Sequence, residues 1–373
     1  MLKRKIEKLD KFILFILVCL VACGTLSIYE ATRDTKLEGL HINNLYLFAF
    51  FCIPMLVIFW IDYKALLGKI LYIGYAMGIG LLIALKFAGE NINGAVRWLN
   101  IGPFQLQPSE LVKIFTILLA AQLLSRRQGE QLRLFKDLLP VCIVFMIPTI
   151  LIMKQPDLGT ALVFIGVLIS MLWMGNIRLL YMILFISIMV TAIVTIFWLY
   201  NANQELLARF VEPHQMSRIQ TFLDPASDPD KSWHVKNAMR AISSGGLSGG
   251  DGYYIEKGFI PYAYSDSIYV VIGENYGFLG SAVLLVLYFL LIYRMIQIVI
   301  ESQDYAGAYI VIGIVGMLAF QIFVNIGMLI GLVPLTGISL PFISYGGSSL
   351  FSNMLAIGLV LSVHAHNSNQ ASS

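Results

Sequence analysis

Residues 70–85 read ILYIGYAMGIGLLIAL, a run without a charged residue and apolar on every face. In lipid the backbone N–H and C=O groups find no outside partner, so such a run must be a helix or a strand of a closed barrel. A barrel strand would show about 10 residues of alternating polarity; this run is longer and does not alternate. It predicts a membrane-spanning helix. The same reading carried outward finds spans at 12–29, 44–61, 70–88, 108–124, 138–153, 160–175, 179–200, 267–293, 306–328 and 349–364, for which about 20 residues each is the crossing length. The expected fold class is an all-α polytopic membrane protein of about ten transmembrane helices. It forms one integral domain over 1–373, with one large extracellular loop, 201–266, between helices seven and eight.

Composition points the same way. Hydrophobic residues make up 58% of the chain and charged residues 13%, with a net charge of +3 and a mean hydropathy of +0.79. A soluble domain carries about 25% charged residues. An ordinary globular protein, a disordered chain and a nucleic-acid binder are excluded, and membrane lipids are the first expected partners. Cys19, Cys23, Cys52 and Cys142 all fall in apolar spans at spacings that suit neither a metal nor a disulfide framework. Leu20 to Cys23 read LVAC, like a lipoprotein signal, but the apolar run around them is longer than a signal-peptide core and reads as the first span.

Lys and Arg in short loops set orientation. Lys3, Arg4, Lys5, Lys8 and Lys11 share a side with Lys64, Lys69, Arg126, Arg127, Arg133, Lys136, Arg178 and Arg294. Only Arg33, Lys36, Arg97 and Lys154 lie in the short loops opposite. Both termini are expected in the cytoplasm, with the long loop outside. The polar tail HAHNSNQASS (364–373) reads as frayed.

Four segments break the apolar background: 93–113, 154–161, the long loop and 325–350. All face the outer side in this topology, and irregular backbone there belongs in buried protein or a wet cavity. Glu110 and Lys113, at i and i+3, share a helical face; they read either as a packing salt bridge or as cavity residues. Asp157 either caps span six or lines the cavity and binds a cation or polar substrate. RAISSGGLSGG (240–250) could present backbone N–H groups to a phosphate. Asp266, at the mouth of span eight, reads either as an N-cap or as a partly desolvated base, with Glu274 about two turns deeper on a similar face. PLTGISLPFISYGGSSL (334–350) offers a hydroxyl-rich wall that includes Ser344, or a re-entrant turn. The five histidines are scattered.

These segments together resemble the SEDS family of RodA, FtsW and SpoVE proteins. The matching strings are RWLNIGPFQLQPSELVK (97–113), QPDLGTA (155–161), SGG (244–246), P-x-A-x-S-D (261–266), GFLG (277–280) and NIGMLIGLVPLTGISLPFISYGGSS (325–349). The resemblance implies a peptidoglycan glycosyltransferase that polymerises lipid II at the outer face of the bacterial cytoplasmic membrane, for cell shape, division or sporulation. It implies Asp266 as the general base. Arg209, Arg218, Lys236 and Arg240 are the candidate cations for the leaving pyrophosphate, and Glu274, Asp157 and Ser344 further substrate contacts. Glu110 and Lys113 form a cavity salt bridge. It allows a divalent cation, Mg or Mn, and implies a class B penicillin-binding protein as partner. A precursor flippase and a non-catalytic scaffold of a cell-wall complex remain alternatives.

The chain departs from the family near the chemistry. Where P-E-A-H-(T/N)-D is usual, it has Tyr262 and Tyr264 for the Glu and His. The paired EE is Glu274 and Asn275, the Y-Q-x-x-Q-S stretch is Trp233 to Ala238, and GKG appears as Gly250, Asp251 and Gly252.

Overall fold

The computed structural model describes residues 8–92, 95–101, 104–209, 211, 213–224 and 229–370. Lys3, Arg4 and Lys5 lie outside them. Among the described residues, ten long apolar helices form the body: α1 (Lys11–Thr32), α2 (Leu40–Trp60), α3 (Lys69–Ala88), α4 (Pro108–Ser125), α5 (Leu139–Met153), α6 (Leu158–Met174), α7 (Leu179–Ala202), then α10 (Ile268–Glu301), α11 (Tyr305–Leu329) and α12 (Gly347–Gln370). Nine are long and apolar enough to cross a membrane, and α6, at 17 residues, is the short tenth. The chain is a multi-pass membrane protein. The long loop carries two helices of more than one turn, α8 (Pro213–Leu223) and α9 (Pro229–Ser244), besides the one-turn helices Gln204–Leu207 and Tyr253–Glu256, and a small antiparallel sheet, β1 (Glu90–Ile92), β2 (Ala95–Ile101) and β3 (Phe104–Leu106), joins α3 to α4.

Short polar signals end the helices. Asp10 accepts from the Phe12 and Ile13 amides, Asp157 from Thr160 N and Asp304 from Gly307 N, each satisfying orphan first-turn donors. The two ends of the body are tied by separate polar sets. At one end Arg294 Nε donates to Asp10 Oδ2 at 2.6 Å, the Tyr63 hydroxyl to Asp304 at 2.8 Å and Asn367 to Ser302 at 2.9 Å. This end holds both the start of α1 and the end of α12. Of the tail expected to fray, residues 364–370 continue the helix and 371–373 lie outside the described residues; the His366 ring lies 6.2 Å from that of Tyr63 and its Nδ1 2.7 Å from Ser362 O. At the other end lie the sheet, the long loop and residues 335–346.

Within lipid no hydrophobic drive pulls helices together, so close approach depends on small residues. A Cβ on Gly24 would sit 2.9 Å from the backbone of Phe342 and Ile343, which is why α1 can press against the segment before α12. Helices α4, α11 and α12 are the most enclosed. Helix α7 is the reverse: Met182 is its one buried residue. It stands off from α6 and leaves an apolar groove of about 750 Å³ between Leu158, Leu184, Ile188 and Leu199, closed at its long-loop end by Arg218 and Ile219 of α8.

Candidate active site

The turn before α10 carries Asp266, and three successive carbonyls of that turn are fixed from outside it. The Tyr345 amide donates to Tyr264 O at 2.9 Å, Ser344 Oγ to Ser265 O at 2.7 Å, and Asn325 Nδ2 to Asp266 O at 2.8 Å. On the loop side His234 Nε2 lies 3.1 Å from Ser267 Oγ. Burial lowers the His234 pKa, so the ring is neutral near pH 7. A Cβ on Gly337 (φ +75°) would touch Asp266 Oδ2 at 3.4 Å, so both the backbone conformation and the space beside the carboxylate suit glycine.

Asp266 itself is half-buried, and its Oδ1 has no hydrogen-bond partner among the described residues. Burial is the main cause that pushes its pKa up to about 6, opposed by the Asp266 and Ser267 amides and by the charge of Arg218. Arg218 extends from α8 and donates through Nη1 to Leu335 O (3.0 Å) and Thr336 O (3.2 Å). Its own pKa is lowered, first by burial and then by Arg97, while Asp157 and Asp266 pull it back. Arg218 closes the apolar groove on one side. On the other it lines a second cavity of about 420 Å³ with Lys236, Ser232 and Met239.

A third cavity, about 90 Å³, lies beneath the turn. Trp98, Gln107, Glu110, Asp157, Gln321 and Tyr345 line it, along with Ser265 and Gly337. Asp157 is both a cap and a cavity residue. Its carboxylate holds Thr160 Oγ1 at 2.9 Å and Gln107 Nε2 at 3.3 Å, and Arg97 Nη1 stands 3.8 Å away. Arg97 also donates to Gln155 O and Pro156 O, which joins the sheet to the start of α6. Glu110 and Lys113 form a buried ion pair at 2.8 Å, leaving Glu110 Oε2 without a partner among the described residues. Glu110 lines the cavity and Lys113 pairs with it from the next turn of the helix.

Four sequence-based expectations lie away from these cavities or are engaged elsewhere. Arg209 and Arg240 are exposed and line none of these cavities. Glu274 does not face the site: it is buried and accepts the Tyr254 and Ile255 amides at 2.6 and 3.2 Å, capping the one-turn helix Tyr253–Glu256. Ser344 is buried and its hydroxyl is used by Leu340 N and Ser265 O, so it positions the turn and does not face a ligand. The glycine-rich stretch is not a phosphate cradle. Its groups bond to α10 where that helix breaks at Gly277 (φ 60°, ψ −153°): Gly250 N donates to Glu274 O, and Gly246 O accepts from Phe278 N. A Cβ at Gly245 or Gly249 would fall 1.9 or 2.1 Å from a carbonyl oxygen of α10.

The sequence reading missed Asn325, Gln321, Arg97 and His234 as site residues. Asn325 and Gln321 stand at i and i+4 inside an apolar span, and an intramembrane polar pair is itself a signal of a functional interior. His234 carries no such signal, because its partner Ser267 is 33 residues away. Among the described residues no three His, Cys, Asp or Glu side chains converge as a ready-made metal site, and Arg218 is the cation whose charge acts on Asp266.

A family model described as cell cycle protein, covering FtsW, RodA and SpoVE, matches residues 8–369. The chain belongs to the FtsW/RodA/SpoVE family. Among curated members of this family it is similar to the peptidoglycan glycosyltransferase MrdB of Escherichia coli, 32% identical over 96% of this chain and 94% of that protein. It is also similar to the peptidoglycan glycosyltransferase RodA of Treponema pallidum, 30% identical over 97% and 99%. Among solved structures, a chain from a peptidoglycan synthase complex, described as coordinating polymerization and crosslinking, superposes with a TM-score of 0.78 at 27% identity over 95% of this chain and 97% of that one.

Proposed function

We propose that this FtsW/RodA/SpoVE-family chain is a peptidoglycan glycosyltransferase that polymerises lipid II at the outer face of the bacterial cytoplasmic membrane, with both termini in the cytoplasm. The carrying observation is Asp266: a half-buried carboxylate on a turn clamped at three carbonyls, with Arg218 beside it. The glycosyltransferase names of its relatives support the reaction type. Asp266 takes the proton of the acceptor sugar 4-hydroxyl as that oxygen attacks the anomeric carbon of the donor. A base with a pKa near the working pH is favoured in this role. The polyprenyl pyrophosphate departs with the glycosidic bond to its own sugar broken. Arg218 and Lys236 meet its charge across the larger loop-side cavity, where preorganised cations stabilise charge as it develops. The apolar groove between α6 and α7 suits the polyprenyl chain, since it opens beside Arg218 and is lined almost wholly by hydrocarbon. The synthase-complex neighbour supports a transpeptidase of the class B penicillin-binding type as partner.

The test is purified protein, with such a partner, supplied with lipid II. Glycan strands from wild type and none from Asp266→Ala are expected. Product that persists in Asp266→Ala removes Asp266 from the chemistry. No product under any partner condition, with a deletion strain rescued by Asp266→Ala, assigns the chain to a scaffold.

A further inference from the structure

Tyr262, Tyr264 and Tyr345 stand in a row that leads from the outer surface to the cavity beside Asp266. The ring centroids of Tyr262 and Tyr264 are 6.5 Å apart, and those of Tyr264 and Tyr345 6.2 Å, with planes tilted by 66° and 69°. Tyr345 lines the inner cavity, Tyr264 is half-buried, and Tyr262 is 49% exposed. The row is fixed as firmly as the base, because the Tyr345 amide donates to Tyr264 O. Tyr262 also holds a left-handed backbone, φ 51°. A bulky residue is rarely found there, and such conformations persist where the surroundings over-determine them.

A tyrosine ring offers a flat apolar face with a polar tip. A pyranose ring is complementary, with a C–H face and a rim of hydroxyls. Successive rings along a channel hold successive units of a polymer without reading each one chemically, as aromatic platforms do for single-stranded nucleic acids. We infer that Tyr262, Tyr264 and Tyr345 form a stacking subsite for pyranose rings, seating the sugar next to Asp266 and the one beyond it. This inference rests on the glycosyltransferase reading above.

The test is binding without turnover. Chitotetraose, a soluble β-1,4-linked N-acetylglucosamine oligomer, is titrated into the full-length protein in nanodiscs and followed by calorimetry. Wild type and Asp266→Asn are expected to bind alike. Tyr262→Leu, and the Tyr262→Leu/Tyr264→Leu pair, are expected to bind on the order of tenfold more weakly, the scale of one aromatic stacking contact. The corresponding Phe variants keep the affinity, which separates loss of the ring from loss of the fold. Equal binding by the Leu variants, or no binding by wild type, overturns the subsite. If glycan is made while the Leu variants bind like wild type, the subsite alone falls. If no glycan is made but binding depends on the rings, the polymerase reading alone falls.

Discussion

Asn325 donates from one amide nitrogen to the carbonyls of Asp266, at 2.8 Å, and Ile338, at 2.6 Å. One fully buried side chain of α11 thus holds both the turn that carries the base and the segment that walls the cavity below it. The position of the carboxylate is therefore a property of the bundle interior and not of the loop alone.

Replacing Asn325 by Leu removes both bonds at similar volume and leaves two carbonyls unpaired. Stability should fall by about 1–3 kcal/mol for each carbonyl left unpaired, read as a lower Tm in detergent. The polymerisation rate per folded molecule should fall further, on the order of a hundredfold, since a displacement of about 1 Å at a reacting group has that scale. A rate loss no larger than that of an unrelated core variant of equal Tm would contradict the clamp.

The pH dependence follows from Asp266. Its pKa is raised to about 6, so the basic form is lost as pH falls through about 6, and the rate of lipid II polymerisation should halve near there. The stability sign is opposite. A carboxyl group whose folded pKa lies above its ordinary 3.8 favours the fold when protonated, and that contribution disappears as pH rises through about 6. Asp266→Asn should therefore raise Tm at pH 8 and leave it near wild type at pH 4. Thermal scans at the two values check this.

Arg218 holds the pKa of Asp266 down and is itself anchored on Leu335 O and Thr336 O. Arg218→Ala should move the acid limb of the rate profile to higher pH and lower the maximum rate on the order of tenfold or more. Arg218→Lys should restore the position of the limb better than the rate, since lysine keeps the charge but not the planar fork. An unmoved limb in Arg218→Ala would show that the two groups do not interact.

The loop residues divide by what they touch. Glu274→Leu orphans the Tyr254 and Ile255 amides and should cost about 1–3 kcal/mol for each unpaired donor. Gly249→Ala places a Cβ 2.1 Å from Asn275 O at φ +107° and should abolish accumulation of folded protein. Arg209→Ala and Arg240→Ala, at exposed positions, should stay within about 0.5 kcal/mol of wild type and keep its rate. Expression level, Tm and glycan synthesis distinguish the three groups.

The spans were legible because lipid leaves a chain few choices: the ends of most helices lie within a few residues of where the apolar runs stop. Asp157 was legible as both cap and cavity residue for the same local reason, since its helix begins at the next residue. Glu274 was misread because its partners, two amides about twenty residues earlier, meet it only after the loop folds back on the break at Gly277. Arg209 and Arg240 are exposed and line none of the three cavities, and charge in a loop says nothing of direction. Asn325 opens the segment set apart at 325–350 but lies at the end of an apolar span and carries no charge, although a carboxamide in that setting needs partners and so marks whatever it holds.

The most direct measurement is glycan synthesis from lipid II by wild type and Asp266→Asn side by side, with partner present and folding matched by Tm. Wild type should build strands with an acid limb near pH 6, and Asp266→Asn should build none at any pH. Strands of wild-type length from Asp266→Asn would contradict a proton-accepting carboxylate at this position.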